Sequence, residues 1–325
     1  MSDPSRLLAI SDGHAGNAKQ AEALAAALSS TIETLSVRTR APWRWLAPRR
    51  LLGAAQAFGP AFQQRLHAPF PELAVGCGRQ AALATRLLRE ASAGRCRAVQ
   101  ILDPRIAPSH YDWVVAPRHD GLQGDNVIQT LGALNAIDDA ALERARLQFP
   151  DFGHLPSPRY AVLLGGPTSA VKLDQTYWTA LVAQLKPRLV AEGASLMLTS
   201  SRRTPDWLRA AAHTSLSDIP GLQWHGPDAR GANPYAGFLA WADVIVVTPD
   251  SVNLLSEAAA TRVPVWTFAP EPLGGKIGRF VQALCDSGRV ARLGMDAAPA
   301  TIVPLRETVD VAAQIRTRWH GSRPA

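Results

Sequence analysis

Cysteine is scarce in this sequence, and several common targeting signals are missing altogether. The 325 residues include three cysteines, Cys77, Cys96 and Cys285, which are scattered and lack metal-ligand spacing. An odd and scattered set argues against a disulfide framework and for a reducing compartment. No apolar run reaches the length of a membrane span, and the first residues lack the apolar core and cleavage site of a secretory signal. We therefore expect a cytoplasmic protein that does not span a membrane.

Nucleic-acid signatures are also missing, although the chain is basic. Its formal net charge is +7 and its pI is about 9.8, mostly through arginine. A basic surface attracts anions such as nucleotide sugars, acidic lipid headgroups or nucleic acid. Because the chain has no Lys/Arg tract, zinc finger or RNA-recognition signature, we expect no nucleic-acid partner.

Short apolar runs alternate with turn residues and helical stretches along both halves of the chain. The run Val-Ile-Val-Val at 244–247 is typical of a strand that is buried on both faces. The predicted strands are 6–10, 31–37, 72–76, 97–102, 113–116 and 126–130 in the first half, and 159–164, 194–198, 222–224, 244–247 and 264–268 in the second. Repeated strand–loop–helix units of this kind predict an α/β fold with two doubly wound, Rossmann-like domains.

The stretch before residue 159 is rich in proline and glycine and reads as a linker. It predicts an N-terminal domain over 1–150, a linker over 151–158 and a C-terminal domain over 159–304. The remaining residues, 305–325, include a helix that we expect to cross back onto the first domain.

The first predicted strand is followed by the loop Ser-Asp-Gly-His-Ala-Gly-Asn at 11–17 and then a strong helix. Gly13 and Gly16 would let the backbone approach a ligand closely, although a tight turn explains them equally well. The loop is not a dinucleotide fingerprint, because the three-glycine spacing is absent. Polar side chains at the ends of the first-half strands could converge on one site; they are Asp12, His14, Arg79, Asp103, Arg105, His119 and Asp120.

Tryptophan, arginine and leucine are interleaved over residues 41–66. Such a stretch can lie at a membrane interface, with aromatic rings at headgroup depth and arginines on anionic phosphates. The alternative is an amphipathic connecting helix that packs on the sheet. The pattern alone leaves both interpretations open.

The most informative segment runs from residue 243 to residue 268. Its strand at 244–247 is stopped by Thr-Pro, and Asp250 and Ser251 are good N-cap residues for the helix that follows. A helix N-terminus at the carboxyl end of a parallel strand offers unpaired N–H groups to a phosphate. Glu257, within this helix, suits the two hydroxyls of a ribose, or is simply a partly exposed helix glutamate.

Two further loops of the second half suit a diphosphate. The predicted strand at 159–164 ends at Gly165 and Gly166, and the next strand ends in a loop that contains Ser200, Arg202 and Arg203. Hydroxyls and paired arginines at a strand end are the groups that bind phosphate oxygens. A solvated turn is the alternative for this loop.

The residues around Glu257 resemble the donor-site motif of GT-B glycosyltransferases, such as the lipid-linked-intermediate N-acetylglucosaminyltransferase of cell-wall synthesis. The match covers Ser256-Glu257 with the alanines after it and Val-Pro-Val at 263–265. The resemblance implies that the helix N-terminus holds the donor diphosphate and that Glu257 holds the ribose. Arg262 departs from the pattern, since glycine is usual there, so we expect this helix end to be capped differently.

Several blocks together resemble the "elongated mitochondria" family, which includes a plant protein required for mitochondrial fission and many bacterial members. The blocks are 11–17, 165–167, 199–205, 233–235 and 247–252, and they extend over nearly the whole chain. This resemblance implies a GT-B-like architecture, with two Rossmann-like domains that face a central cleft. A fission role does not follow, because fold and family name do not fix function.

The sequence therefore supports a first hypothesis of an inverting, metal-independent GT-B glycosyltransferase. Its donor is a nucleotide sugar, bound as substrate with no cofactor, and its acceptor is an envelope glycan or a lipid-linked molecule. The predicted ligand contacts are Gly13, Gly16, Gly165, Gly166, Ser200, Arg202, Arg203, Asp250, Ser251, Ser256 and Glu257. His14 and Asp12 are the first candidates for the general base, followed by Asp120 with His119.

Two other functions stay open. A non-catalytic adaptor would keep the two-domain shell and bind a protein partner, and a nucleotide-sugar epimerase of similar fold would act on the free nucleotide sugar. Whether the protein is an enzyme is therefore undecided by the sequence. A lipid-linked acceptor would favour peripheral contact with an anionic membrane, at the inner face of the cytoplasmic membrane.

Overall fold

The computed structural model describes residues 6–226, 232–295 and 301–321. The chain divides into two compact units, one formed by Met1–Ala136 with Arg306–Ala325 and the other by Ile137–Leu305. Within the described ranges, no helix is both long and apolar enough to cross a bilayer. Each unit has its own parallel sheet and its own core.

The first unit is a six-stranded parallel sheet in the order β2-β1-β3-β4-β5-β6. Its elements are β1 (Leu7–Ser11), α1 (Ala15–Leu28), β2 (Ile32–Ser36), α2 (Trp43–Leu46), α3 (Pro60–Gln64), β3 (Leu73–Cys77), α4 (Arg79–Ala91), β4 (Arg97–Ile101), β5 (Trp113–Pro117) and β6 (Val127–Thr130). The strand order reverses between β1 and β3. The carboxyl ends of these two strands therefore form the topological switch point at which ligands of open α/β sheets bind.

The second unit is also a six-stranded parallel sheet, in the order β12-β11-β10-β7-β8-β9. Its elements are α5 (Asp139–Gln148), β7 (Arg159–Leu164), α6 (Gln175–Ala191), β8 (Ser195–Ser200), α7 (Asp206–Ser215), β9 (Gly221–Trp224), α8 (Tyr235–Trp241), β10 (Val244–Val247), α9 (Val252–Ala259), β11 (Val265–Thr267), α10 (Gly275–Asp286) and β12 (Ala291–Arg292). This is the strand order of the dinucleotide-binding Rossmann fold, with its switch point between β7 and β10.

The predicted α/β class and the doubly wound sheets are confirmed. The strand β10 is buried along most of its length, as its run of β-branched residues predicts. The two-residue strand β12 was not predicted, because its Ala-Arg sequence carries no apolar run that would mark a strand.

The boundary between the units lies after Ala136, so the predicted linker at 151–158 is part of the second unit. Residues Pro150–His154 form a turn of 3₁₀ helix rather than an extended connector. The reason is packing: a Cβ at Gly237 in α8 would lie 2.8 Å from the ring of Phe149. Arg146 of α5 donates to the carbonyl oxygen of Ala240 at 3.0 Å. These contacts hold α5 and the 3₁₀ turn against α8.

The last helix, α11 (Glu307–Gly321), belongs to the first unit. The carboxylate of Glu307 accepts the backbone N–H groups of Leu131 and Gly132 at 2.7 and 2.8 Å. The rings of Trp319 and Trp113 stack with centroids 5.9 Å apart. A segment that starts 175 residues after Gly132 therefore completes one side of the first sheet.

Residues 41–66 do not form the single amphipathic helix of the second interpretation, although the stretch packs on the sheet as that interpretation expects. The stretch folds as the short helix α2, a 3₁₀ turn at Ala54–Gln56 and the short helix α3. Proline and glycine explain the interruptions, because proline cannot continue a helix and glycine adopts left-handed backbone. Gly53 and Gly59, which precede the second and third pieces, have φ angles of 73° and 86°.

A buried arginine caps the carboxyl end of α9. The guanidinium of Arg289 donates to the carbonyl oxygens of Ala258, Thr261 and Val263 at 3.2, 2.8 and 3.3 Å. Burial lowers the pKa of Arg289 to about 10, so the group is still cationic at neutral pH. A cation at this end of a helix is favoured by the helix dipole. Arg262 stands where the GT-B motif usually has glycine. The helix end is thus capped by Arg289, from a distant part of the sequence.

We predict that Arg289→Met lowers the free energy of unfolding by about 3 kcal/mol, because several buried carbonyl groups lose a charged donor. Thermal unfolding followed by circular dichroism should show a midpoint several degrees lower. Arg262→Ala is the matched control, since Arg262 pairs with Asp139 at the surface near the same helix end. It should leave the midpoint nearly unchanged. Equal midpoints for the two variants would contradict the capping role.

Candidate functional site

Three loops meet at the carboxyl edge of the second sheet, at its switch point. They follow β7, β8 and β10, which are neighbours in the order β10-β7-β8. The loops contain most of the predicted donor contacts of this unit. Their positions are fixed by short hydrogen bonds around one buried carboxylate.

That carboxylate belongs to Asp250, whose side chain is fully buried. It accepts the hydroxyl of Thr248 at 2.7 Å, the backbone N–H of Gly166 at 2.9 Å and Nη2 of Arg203 at 2.9 Å. The same threonine hydroxyl accepts the backbone N–H of Gly165 at 2.8 Å. One side chain thus joins the ends of β7, β8 and β10.

Both glycines after β7 are required by this packing. A Cβ at Gly165 would lie 2.1 Å from the carboxylate of Asp250, and a Cβ at Gly166 would lie 2.3 Å from the carbonyl oxygen of Arg203. Their N–H groups are already bonded to Thr248 and Asp250. Gly165, Gly166 and Asp250 therefore build the loop itself, and their role as ligand contacts stays a prediction.

Two adjacent arginines of the loop after β8 have different environments. Arg203 is tied to Asp250, and its backbone N–H donates to the hydroxyl of Ser201 at 3.2 Å. Arg202 is exposed, and within the described parts of the chain its guanidinium has no hydrogen bond or ion pair. Arg202 is consequently a cation at this sheet edge that is available to an anion.

The helix α9 begins as the sequence predicts. Ser251 is its N-cap, and the serine side chain accepts the backbone N–H of Leu254 at 3.4 Å. Ser256, another predicted contact, is buried and donates its hydroxyl to the carbonyl oxygen of Val252 at 2.7 Å. The side chain of Ser256 therefore serves the helix, and the first turn of α9 lies beside the Asp250 cluster.

Glu257 is buried in α9 and is only 6% exposed. Its Oε2 accepts the hydroxyl of Tyr235, the first residue of α8. Burial, followed by the nearby Glu257 carboxylate, raises the pKa of Tyr235 well above its usual range. The tyrosine stays protonated and acts as donor, which orients the carboxylate. The sequence block at 233–235 contains this tyrosine, but no local pattern assigns it a role.

Ser200 ends β8 and is buried. Its Oγ lies 3.2 Å from Nδ1 of His225, a residue that sequence reasoning did not single out. Burial, with smaller contributions from His213 and Arg209, lowers the pKa of His225. The imidazole is therefore neutral at neutral pH. A histidine just beyond a short edge strand gives little sequence signal, because its role depends on the neighbouring strand.

The predicted residues of the loop after β1 lie at the switch point of the first unit. Asp12 accepts the side-chain amide of Asn17 at 2.9 Å and the backbone N–H of His14 at 3.3 Å. A Cβ at Gly78, after β3, would lie 2.3 Å from the carboxylate of Asp12. Asp12 therefore orders the loop and packs closely against Gly78 at the end of β3.

His14 is the exposed N-cap residue of α1, and its side chain makes no capping bond. Gly13 has a φ angle of 82°, which only glycine adopts without strain, and Gly16 lies in the first turn of the helix. A cavity of about 220 Å³ lies beside this loop, lined in part by Ser11, Gly13 and Ser36. Among the predicted acid–base residues of this loop, His14 is the more accessible.

The other polar residues of the first unit are spread along the same sheet edge. Asp103 accepts the backbone N–H of Arg105 at 2.7 Å, and Arg79 donates to the carbonyl oxygen of Arg44 at 3.2 Å. His119 and Asp120 lie in a 3₁₀ turn after β5. Since β5 is three strand positions from β1, this turn is roughly 14 Å from the Asp12 loop by strand spacing. Among the described residues, no three His, Cys, Asp or Glu side chains are grouped to hold a metal ion.

Comparison with solved structures agrees with the two-sheet architecture. A UDP-GlcNAc 2-epimerase from Methanocaldococcus jannaschii is 14% identical with a TM-score of 0.55, over 96% of this chain and 99% of that one. MurG from Acinetobacter baumannii is 15% identical with a TM-score of 0.51, over 97% of this chain and 100% of that one. At such identities the likeness shows the fold alone, and it confirms the GT-B-like architecture.

Two sequence relatives match over most of the chain. "Mitochondrial fission protein ELM1" of Arabidopsis thaliana is 31% identical over 277 residues, which is 76% of this chain and 63% of the plant protein. The chain thus spans less than two thirds of the plant protein's length. The "Uncharacterized protein RP120" of Rickettsia prowazekii is 24% identical over 326 residues, which is 87% of this chain and 89% of the relative.

The family model described as "Mitochondrial fission ELM1" matches residues 15–319. This range begins at the helix after the first glycine loop and runs through both sheets into the last helix. The resemblance inferred from the separate sequence blocks is confirmed, and the chain belongs to the Mitochondrial fission ELM1 family.

Proposed function

We propose that the second unit binds a nucleotide sugar and that the protein is a metal-independent glycosyltransferase of GT-B type. The observation that carries this proposal is the exposed guanidinium of Arg202, which has no partner among the described residues and follows β8 at the edge that holds the switch point. The next residue, Arg203, bonds Asp250 directly before the N-cap of α9. A free cation and a helix N-terminus at one sheet edge are suited to an anion. A diphosphate fits this position better than a protein carboxylate, because ligands of such sheets bind at the switch point.

Several residues of this sheet edge would contact different parts of the donor or position the residues that do. The N-terminus of α9, which Ser251 caps, and the guanidinium of Arg202 would hold the diphosphate. Glu257, oriented by the Tyr235 hydroxyl, would accept hydrogen bonds from the ribose. Arg203 and Asp250 would act as positioning residues that keep the glycine loop in place. Positive groups at the diphosphate would stabilise the charge that develops on the leaving group.

The first unit would supply the acceptor side. His14 is the preferred general base, because its imidazole is exposed whereas the carboxylate of Asp12 is engaged in its own loop. The base would take the proton of the acceptor hydroxyl as the acceptor oxygen bonds to the anomeric carbon and the nucleoside diphosphate leaves. Asp120 is the next candidate. The acceptor class that we propose is an envelope glycan or a lipid-linked molecule, reached from the inner face of the cytoplasmic membrane.

Two alternatives have specific support. Two solved structures of similar fold are UDP-GlcNAc 2-epimerases, one from M. jannaschii and one from Neisseria meningitidis that is bound to UDP-GlcNAc. An epimerase would convert a free nucleotide sugar without any acceptor, so analysis of the sugar product separates it from a transferase. Membership of the fission family favours an adaptor instead, and an adaptor predicts no nucleotide binding.

The first test is a thermal-shift screen of nucleotides and nucleotide sugars against the full chain. A ligand at about 100 times its dissociation constant should add about 2.7 kcal/mol of stability. We expect Glu257→Gln to bind roughly tenfold more weakly, because the ribose hydroxyls lose a charged acceptor. Tyr235→Phe keeps the carboxylate and removes only the hydroxyl that orients it. It should weaken nucleotide binding by less than Glu257→Gln does.

The outcomes of this screen separate the functions. The absence of any shift in the wild-type protein would exclude donor binding and favour the adaptor. A shift that is the same in Glu257→Gln would leave nucleotide binding intact but refute the ribose role.

A second test uses the two adjacent arginines. Arg202→Ala should leave the unfolding midpoint of the unliganded protein unchanged and weaken nucleotide binding at least tenfold, on the order of one charge-assisted hydrogen bond. Arg203→Ala should lower the free energy of unfolding by about 1 kcal/mol, because Asp250 loses one partner. Denaturation curves and ligand titrations on both variants check this. If Arg202→Ala binds as the wild type does, the phosphate contact is wrong.

A further inference from the structure

A cluster of exposed apolar side chains lies on the first unit, between β2 and β3. Trp45 is 71% exposed and Leu52 is 100% exposed, while Leu46 and Leu51 are 36% and 39% exposed. These four lie within eight residues of one another, and we call residues 43–52 the Trp45–Leu52 surface. Exposed apolar groups that are grouped in one short segment indicate an interaction site, whereas singly scattered ones do not.

The chain segment that contains this surface carries charges of one sign only. Arg44, Arg49 and Arg50 alternate with the exposed apolar residues, and residues 34–71 contain six arginines and no acidic residue. Arg50 forms an exposed ion pair with Glu90 of α4 at 3.0 Å. Within the described parts of the chain, Arg49 has no ion pair, so its charge is free to meet an external anion.

The segment that carries this surface is packed onto the core of the first unit. Ala47 and Ala54 are buried, and Trp43 packs against the same apolar cluster, which includes Leu8, Ile10 and Phe62. The backbone N–H of Arg40 also donates to the carbonyl oxygen of Ala57 at 2.8 Å. The two tryptophans of α2 therefore point to different environments: Trp43 joins the core and Trp45 faces solvent.

We propose that the Trp45–Leu52 surface docks on an anionic lipid bilayer. Trp45 and Leu52 enter the interface, and Arg44 and Arg49 lie at the level of the lipid phosphates. A bilayer is favoured over a protein partner because the surface interleaves exposed apolar side chains with arginines. The apolar side chains match the hydrocarbon layer of a membrane, and the arginines match its anionic headgroups. The proposal stands independently of nucleotide binding, which occupies the other unit.

The test measures binding of the full chain to vesicles by co-sedimentation at low salt. Vesicles of phosphatidylcholine with about one third phosphatidylglycerol should bind the protein, and vesicles of phosphatidylcholine alone should bind it much more weakly. Leu52→Ser with Trp45→Ser should reduce binding roughly tenfold or more, because the inserting groups are lost. Arg49→Ala should reduce it about fivefold, the factor expected for one arginine near an anionic surface.

Matched controls lie on the second unit. Leu147→Ser removes an exposed leucine and Arg144→Ala an exposed arginine, both on α5. Neither should change vesicle binding. Thermal midpoints of all variants should match the wild type, since the altered side chains are exposed. No binding to anionic vesicles, or equal losses in the α5 controls, would overturn the proposal and leave a protein partner as the occupant.

A site-specific probe distinguishes insertion from surface adsorption. Cys77 and Cys96 are buried, so a Leu52→Cys variant in a Cys285→Ser background offers one accessible thiol. An environment-sensitive dye at this position should show increased, blue-shifted emission on anionic vesicles. The same dye on Leu147→Cys should show no such change. Unchanged emission at position 52 on bound vesicles would refute insertion of this loop.

Discussion

The buried carboxylate of Asp250 is the interaction on which the second unit's candidate site depends. Three donors from three different strand ends converge on it: the Thr248 hydroxyl, the Gly166 N–H and the Arg203 guanidinium. A buried carboxylate is stable only when its oxygens are bonded in this way. The close approach leaves no room for a side chain at Gly165. The loop shape, and with it the position of the exposed Arg202, follows from satisfying this one charge.

The helix α9 is held at both ends by groups from elsewhere in the chain. The Asp250 cluster lies at its start, and Arg289 binds the carbonyl groups at its end. Such a short helix would be marginal alone, because helix nucleation is costly. Fixing both ends also fixes Glu257 in its middle, where the Tyr235 hydroxyl orients the carboxylate. The site is therefore built from groups that are bonded before any ligand arrives, which lowers the entropy lost on binding.

The two units present different kinds of surface. In the second unit, charged side chains and hydrogen-bonded backbone lie together at a switch point. This arrangement is suited to a small anionic ligand. The first unit carries the Trp45–Leu52 surface, where arginines and apolar side chains are both exposed. The two proposals thus assign positive charge two roles in one basic chain. Net charge alone could not separate them, because it does not say which arginines are already paired.

The amino-acid order by itself determined the two doubly wound sheets, the Ser251 helix start and the family, since apolar periodicity, capping residues and motif blocks are local signals. Only the tertiary structure decided which of the polar side chains are already paired within the protein. Arg202 and Arg203 are equivalent in the sequence, and a contact across 47 residues pairs one of them with Asp250. The Arg289 cap and the outward position of Trp45 likewise depend on packing between distant segments, which no local pattern encodes.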